Sequence, residues 1–207
     1  MEEREVTQNS SDRLAMALST ILGHAKINNK QSQVLAYAAV KGTVSYQEIK
    51  EIIKDDPEDF LLLADKWRLL LPVRTAKSSG WEDRLLIIKN VEVYEIPNVI
   101  RYLVREAVKT GIWDPEKAIV KLCKELEDPD CTKIPGLVRS IVEEAVNHKI
   151  TGNQIKSICV QLGLGDRVDG IIAELKAAGI ISPRLSSVPE VNRKGSPIYE
   201  LNPSVVL

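Results

Sequence analysis

The stretch ITGNQIKSICVQLGLGDRVDGIIAELKAAGIISPRLSSVPEVNRKGSPIYEL, residues 150–201, decides the fold of this chain. Thr151 and Gln154 have the spacing of a capping box, which predicts that a helix begins just after Thr151. Apolar residues then recur at helical spacing, and the run Gly163–Asp166 predicts a tight turn. A second helix follows and ends at Gly179, which suits a left-handed C-cap. The stretch therefore predicts two helices joined by a short turn.

Two extended segments follow these helices. Ile180–Pro183 predicts one strand and Ile198–Leu201 predicts its partner, with a long polar loop between them. Two helices and then a hairpin with a long tip have the element order of a winged helix-turn-helix, and the pattern AAGIIS…YEL resembles that superfamily. The resemblance implies a fold more strongly than an activity, because the superfamily has many functions. Its commonest implication is a DNA-binding regulator of transcription.

The same pattern occurs earlier in the chain. Ser45 and Glu48 repeat the capping box 106 positions before Thr151, and Tyr-Glu-Ile-Pro at 94–97 echoes the closing strand. We therefore predict an internal duplication, with winged-helix units at residues 30–97 and 134–207. The alternative is a chance similarity between helices that are rich in Leu and Ile.

The remaining segments flank or connect these units. Residues 1–29 are predicted to form an N-terminal tail and an accessory helix, which Ser11 caps and which packs on its own domain or on a partner subunit. Residues 98–133 are predicted to form a helical linker. This linker is either a third copy without a wing or a plain two-helix spacer. The predicted fold class is mainly α with small β-hairpin wings, in which a helical linker joins two winged helix-turn-helix units.

The composition narrows the function classes. The formal net charge of -1 gives no overall attraction for nucleic acid or an anionic membrane, although a local basic face stays compatible with it. No apolar run approaches the roughly 20 residues that span a bilayer. The N-terminal sequence is acidic and polar, unlike a signal peptide. We therefore expect a cytoplasmic protein without a membrane partner.

The residues that carry chemistry are sparse. The chain has three cysteines and two histidines and no CxxC pair, so we expect no zinc site, and Cys123 and Cys159 are predicted to pack in the core. Phosphate-binding loops, nucleophile elbows and HExxH motifs are missing from the sequence. Gly163-Leu164-Gly165 follows a helix, where a dinucleotide-binding loop would follow a strand. We therefore predict no enzyme activity, no cofactor and no metal.

Contact with double-stranded DNA is the first functional hypothesis. A winged helix places its third helix in the major groove and its wing against the backbone. The third helix of the second unit carries two basic residues against three acidic ones, so we expect the wings to make the main contacts. A solvated hairpin is the alternative. The candidate residues are Arg167, Lys176, Arg184, Arg193, Lys194, Arg74, Lys77 and Arg84.

Contact with a protein partner, or with a second copy of this chain, is the alternative hypothesis. In the helix that begins after Asp56, one face is predicted to be buried, which leaves Leu61 and Leu62 pointing elsewhere. Trp81 lies near the tip of the first wing, where an aromatic side chain indicates a covered surface. Leu61, Leu62 and Trp81 are the candidates for an interface. Their burial under the N-terminal helix or the linker is the other explanation.

Overall fold

Helices dominate the computed structural model, which describes residues 2–22, 27–73, 80–184 and 195–206, with side chains from residue 9 onward. The predicted mainly α class is confirmed. The helices are α1 Glu2–Leu22, α2 Asn29–Lys41, α3 Tyr46–Ile52, α4 Pro57–Lys66, α5 Asn98–Thr110, α6 Pro115–Glu125, α7 Ile134–Glu144, α8 Gly152–Gln161 and α9 Val168–Ala178. The strands are β1 Thr43–Ser45, β2 Leu71–Pro72, β3 Val93–Glu95, β4 Lys149–Thr151, β5 Ile181–Pro183 and β6 Ile198–Leu201.

Residues 30–97, the predicted first unit, contain α2, β1, α3, α4, β2 and β3 in that order. The strands form an antiparallel sheet in the order β1-β3-β2, in which Val44 faces Tyr94. The predicted capping box is confirmed, because the Ser45 hydroxyl accepts from the Glu48 amide and the Glu48 carboxylate accepts from the Ser45 amide. This cap turns the chain directly from β1 into α3.

The predicted second unit contains α7, β4, α8, α9, β5 and β6, with its antiparallel sheet in the order β4-β6-β5. The capping box of Thr151 and Gln154 is confirmed, as is the left-handed conformation of Gly179, with φ 76°. Ile150 faces Tyr199 in this sheet, as Val44 faces Tyr94 in the other. Corresponding residues thus occupy corresponding places in both regions.

The accessory helix α1 packs against α2 and α5 of its own chain. Leu14 and Leu18 are fully buried there. The helix begins at Glu2, so the prediction that Ser11 caps it is wrong: Ser11 is a buried residue within the helix. The linker helices α5 and α6 pack on each other, and α5 also contacts α1, α2 and α9. The linker thereby connects the N-terminal helix with α2 and with α9.

One apolar core extends from α1 through the linker to β6. Cys123 and Cys159 are buried in it, as predicted. Each fully buried aliphatic side chain contributes about 1.5–3 kcal/mol relative to an exposed one, so this shared core couples the two halves energetically. Within the described ranges, no helix has the length and apolarity to cross a membrane.

Candidate interaction surfaces

Residues 80–83, the described end of the predicted first wing, pack against β5 in the predicted second unit. The Trp81 amide donates to the Ser182 hydroxyl at 2.9 Å, and Glu82 forms an ion pair with Arg184 at 2.7 Å. At Gly80, a Cβ atom would lie 2.4 Å from the carbonyl oxygen of Pro183, so a side chain there would collide with β5. These residues therefore make a close contact with β5 that depends on the side chains of Glu82, Ser182 and Arg184 and on glycine at position 80.

Arg68 and Trp81 form the centre of this junction. The Arg68 guanidinium lies 5.7 Å from the centre of the Trp81 ring and 3.3 Å from a Glu200 carboxylate oxygen of β6. A desolvated cation over an indole ring contributes up to about 2 kcal/mol. Trp81 is buried, so its aromatic ring is covered by this chain itself.

The residues after β6 extend the junction. The Asn202 side chain donates to the carbonyl oxygens of Gly179 at 3.1 Å and Arg68 at 3.4 Å. The Ser204 hydroxyl donates to the carbonyl of Trp67 at 2.5 Å, and the indole of Trp113 donates to the Ser204 carbonyl at 2.8 Å. Asn202 and Ser204 are both fully buried. Because buried polar groups are costly without partners, these bonds fix the relative position of the two units.

A carboxylate cluster surrounds Arg167. Its guanidinium donates to both Asp128 oxygens, at 3.1 and 3.3 Å, to Asp130, and to Glu174 at 3.0 Å. Burial raises the pKa of Asp128, but hydrogen bonds from Arg167 and from the Asp130 amide outweigh it and hold that pKa below its ordinary value. Burial and the nearby Asp128 raise the pKa of Glu174. The positive charge of Arg167 is thus neutralised within the chain.

The other candidate DNA contacts fall into three groups. Arg84 pairs with Glu95 across the first sheet, and Arg184 pairs with Glu82. Lys176 is exposed near the end of α9. The remaining candidates lie outside the described residues: Arg74, Lys77, Arg193 and Lys194. Lys176 is therefore the candidate that the structure places on the surface without an ion-pair partner among the described side chains.

The candidate interface residues of α4 differ in their exposure to solvent. The expectation that Leu61 points away from the core is wrong, because its side chain is 1% exposed. The buried face of α4 carries Phe60, Leu61 and Ala64, which places Leu63 and Trp67 in partly buried positions. Leu62 is 56% exposed, as its position outside this face requires.

A different apolar surface lies on the first unit. We call it the apolar patch; its residues are Val73, Leu85, Ile87, Val91 and Val93. Val93 is central in the sheet, and its carbonyl accepts from the Val73 amide at 3.2 Å. Leu85 is 75% exposed and Val91 83% exposed. Val93 lies in β3 and Val73 pairs beside it, whereas Leu85, Ile87 and Val91 lie on the segment that precedes β3. An exposed patch of aliphatic groups is typical of a binding surface.

The backbone beside this patch is also open. Residues 85–88 lie outside the strand ladders, and in the described part of the chain their amide groups donate no backbone hydrogen bond. The Ile87 carbonyl accepts the Tyr94 hydroxyl at 2.7 Å. Leu86 and Ile88 pack on the core while Leu85 and Ile87 point outward. This alternation is that of a strand with one buried side.

The sequence carries a signal for this patch. Arg84–Ile88, which contains four consecutive aliphatic residues, is one prediction for the returning strand, and Val91–Ile96 is the alternative prediction. The structure places β3 at Val93–Glu95 within the second of these. The first run has no ladder partner among the described residues, so its outward side chains are left uncovered.

A protein-family model matches residues 16–207, and the chain therefore belongs to that family. No curated protein and no solved structure matches the chain. The matched range includes the accessory helix from Met16, both predicted units and the linker.

Proposed function

We propose that this chain is a protein-interaction module, a scaffold built from two winged-helix units, whose apolar patch receives an extended segment of a partner protein. The observation that carries the proposal is the coincidence of exposed aliphatic side chains with open backbone groups at residues 85–88. The winged-helix part is supported by the repeated order helix, strand, helix, helix, strand, strand.

The position of the basic residues supports a protein partner over DNA. Arg84, Arg167 and Arg184 each pair with carboxylates of this chain. A cation that already has an acidic partner releases few counterions from DNA, so it contributes little to phosphate binding. The described part of the first wing is also covered by the second unit, because Trp81 is buried.

The chemistry of the patch favours an extended occupant. An added strand satisfies exposed backbone donors and acceptors, and alternate side chains of that strand pack on the aliphatic groups beside them. An unpaired extended edge is a ready template for this mode of binding. The partner segment is therefore expected to be aliphatic at every second residue.

The test compares two double variants of the full chain. Leu85→Ser with Ile87→Ser removes aliphatic groups from the patch, whereas Leu62→Ser with Val160→Ser removes exposed aliphatic groups elsewhere, at 56% and 58% exposure. A partner captured from cell extract should be retained by wild type and by the second variant and lost by the first. On binding, the amides of residues 85–88 should gain protection from hydrogen exchange. Equal retention by both variants would reject the patch.

Binding to double-stranded DNA is the second candidate. The observation that favours it is the outward face of α9, where Gly170, Ala173 and Ala177 are exposed and small, and Lys176 lies among them. A helix with short side chains can approach a groove closely, and the third helix is the usual reading element of a winged helix.

This candidate predicts salt-sensitive binding to mixed duplex fragments. Replacing Lys176, Arg193 and Lys194 with Ala should flatten the dependence of log affinity on log salt by up to about one unit for each lost phosphate contact. Arg184→Ala should be tested separately, because it also breaks the ion pair with Glu82. Unchanged affinity and slope in the triple variant would reject DNA contact by these residues.

A further inference from the structure

A cleft of about 470 Å³ lies where the two units meet. Its walls come from the loop before β1, the end of β3, the start of α5 and the end of α9. Three cationic side chains and one carboxylate line it, which gives the lining a net positive charge. The residues used below are Trp81, Arg84, Glu95, Asn98, Arg101 and Lys176.

Arg101 approaches the cleft from the linker helix α5, and Lys176 approaches it from α9 of the second unit. Neither forms an ion pair with any side chain that the structure describes. Arg101 donates its Nε–H to the Ala39 carbonyl at 3.0 Å, which anchors the guanidinium. Its two terminal nitrogens keep their donors for another acceptor. Two cations without a counter-charge therefore face a shared space.

The start of α5 forms part of the cleft wall through Pro97, Asn98 and Arg101. Pro97 occupies the N-cap and supplies no side-chain acceptor, so the amides of the first turn are uncapped. The Asn98 side chain does not cap them either, because it donates to the Ala177 carbonyl at 3.2 Å. A helix N-terminus with free amides carries partial positive charge and favours an anion.

Arg84 determines the net charge of the cleft. Its side chain is only 10% exposed, and its Nε atom has no hydrogen-bond partner among the described groups. Another of its nitrogens pairs with Glu95, which neutralises the one carboxylate of the cleft. The Nε atom itself is covered, so Arg84 contributes by neutralising Glu95, which leaves the charges of Arg101 and Lys176 unopposed in the described lining.

We propose that this cleft binds a small molecule carrying a phosphate monoester. Phosphate offers several charged oxygens, which matches the donors of Arg101 and Lys176 beside the positive end of the α5 dipole. The buried ring of Trp81 forms an apolar wall for the organic part of the ligand. The donors line opposite walls of a recess, a geometry that suits a compact ligand better than the convex backbone of a duplex. The bound ligand would bridge the two units.

The test is calorimetric titration of the full chain with inorganic phosphate and with adenosine 5′-monophosphate, at ionic strength held constant with chloride. The variants are Arg101→Gln and Lys176→Met. Arg105→Gln is the matched control, because Arg105 lies on the same helix and also donates to Ala39, at 3.1 Å, but does not line the cleft.

We expect wild type and R105Q to bind both probes, and R101Q and K176M to raise each Kd at least about tenfold, the effect of losing one charge-assisted bond. Adenosine 5′-monophosphate should bind more tightly than phosphate alone. Absence of binding to wild type at 10 mM phosphate (on the order of a hundred times the Kd expected for such a site) would overturn the proposal.

Two further outcomes would also overturn the proposal. One is a loss of affinity in R105Q equal to that in R101Q and K176M. The other is tighter binding of a 16-base-pair duplex than of both small probes, which would mean that the cations bind nucleic acid. The proposed protein-binding function is separable from this site. The variant with Leu85→Ser and Ile87→Ser should titrate with phosphate as wild type does, because neither residue lines the cleft.

Discussion

Arg167 joins carboxylates from two segments of the chain, the loop after α6 and helix α9. Asp128 is nearly buried, with a side-chain exposure of 7%. A carboxylate in that position is stable as an anion only while its cation stays in place. The role of Arg167 is therefore to hold this loop against α9.

Replacing Arg167 with Met should destabilise the fold by about 2–4 kcal/mol, because it leaves buried negative charge unpaired. Arg139→Met is the control, since Arg139 and its partner Glu116 are both about 60% exposed. That change should cost less than about 1 kcal/mol. Urea unfolding measures both values, and equal costs would show that the cluster has no special role.

Glu48 provides a prediction about pH. Hydrogen bonds from Lys41, from the Ser45 amide and from Tyr37 lower the pKa of Glu48 from 4.5 to about 2. Since the folded pKa lies below the unfolded value, this interaction stabilises the fold above pH 4.5 and is lost as the pH falls toward 2. Acid should therefore remove its contribution inside that window.

The measurement is the free energy of unfolding of wild type and Glu48→Gln between pH 7 and pH 2.5. The advantage of wild type should be full at pH 7 and shrink steadily below pH 4.5. Glu51→Gln, which replaces an exposed carboxylate on the same helix, controls for the lost charge. A difference between wild type and E48Q that does not change with pH would refute the assignment.

At the scale of elements, the contact between residues 80–83 and β5 holds the first sheet against the second. Gly80 permits this contact because any Cβ would clash with the Pro183 carbonyl. Gly80→Ala should destabilise the protein by about 1–3 kcal/mol through overpacking at the junction. The loss should appear as a lower melting temperature.

Gly136→Ala is the matched control. Gly136 lies in helix α7, and a Cβ there would meet no atom within 4 Å. Alanine is the better helix former, so this change should stabilise the protein by up to about 1 kcal/mol. A melting temperature for G80A equal to that of wild type would mean that the wing and β5 separate readily.

The elements themselves follow from local signals in the sequence. Capping boxes at Ser45 and Thr151 and the glycine at 179 act within one turn of chain, so their positions are predictable from spacing alone. Within the predicted linker, the apolar spacing of Ile100, Leu103, Val104 and Ala107 predicts a helix from Asn98 to Thr110, and α5 has those bounds. The predicted cap at Asp56 is placed correctly, although its side chain makes no capping bond.

The pairing of charges does not follow from local signals. The pair of Arg184 with Glu82 depends on how residues 30–97 pack on residues 134–207, and the pair of Arg84 with Glu95 depends on how the segment before β3 returns to the sheet. No short spacing in the sequence encodes either arrangement. The inner face of α4 is similarly ambiguous, because the run Phe60-Leu61-Leu62-Leu63 fits two overlapping apolar stripes. Contacts with the rest of the chain select the stripe that buries Leu61.

At the scale of the whole molecule, the continuous core and the polar junction predict one cooperative unit. Thermal unfolding should give a single transition, coincident in far-ultraviolet circular dichroism and in tryptophan fluorescence. The fluorescence reports on the junction because Trp67, Trp81 and Trp113 lie in or beside it. Two resolved transitions would show that the units fold independently.

The same docking separates the two functional proposals, since it places basic residues in contact with carboxylates and leaves the apolar patch uncovered. A DNA reader requires free cations, whereas a protein-binding scaffold requires an accessible apolar surface. The described surface of residues 30–97 has exposed aliphatic side chains, as a protein-binding scaffold requires.

The most direct measurement captures partners from cell extract with the full wild-type chain and with the variant that carries Leu85→Ser and Ile87→Ser. Nuclease is added to remove nucleic acid, and hydrogen exchange of the chain is then measured in the captured complex. The account predicts that wild type retains a protein partner and gains protection at residues 85–88, and that the variant retains none. Retention that disappears with nuclease, or that is equal in the variant without protection at residues 85–88, would contradict it.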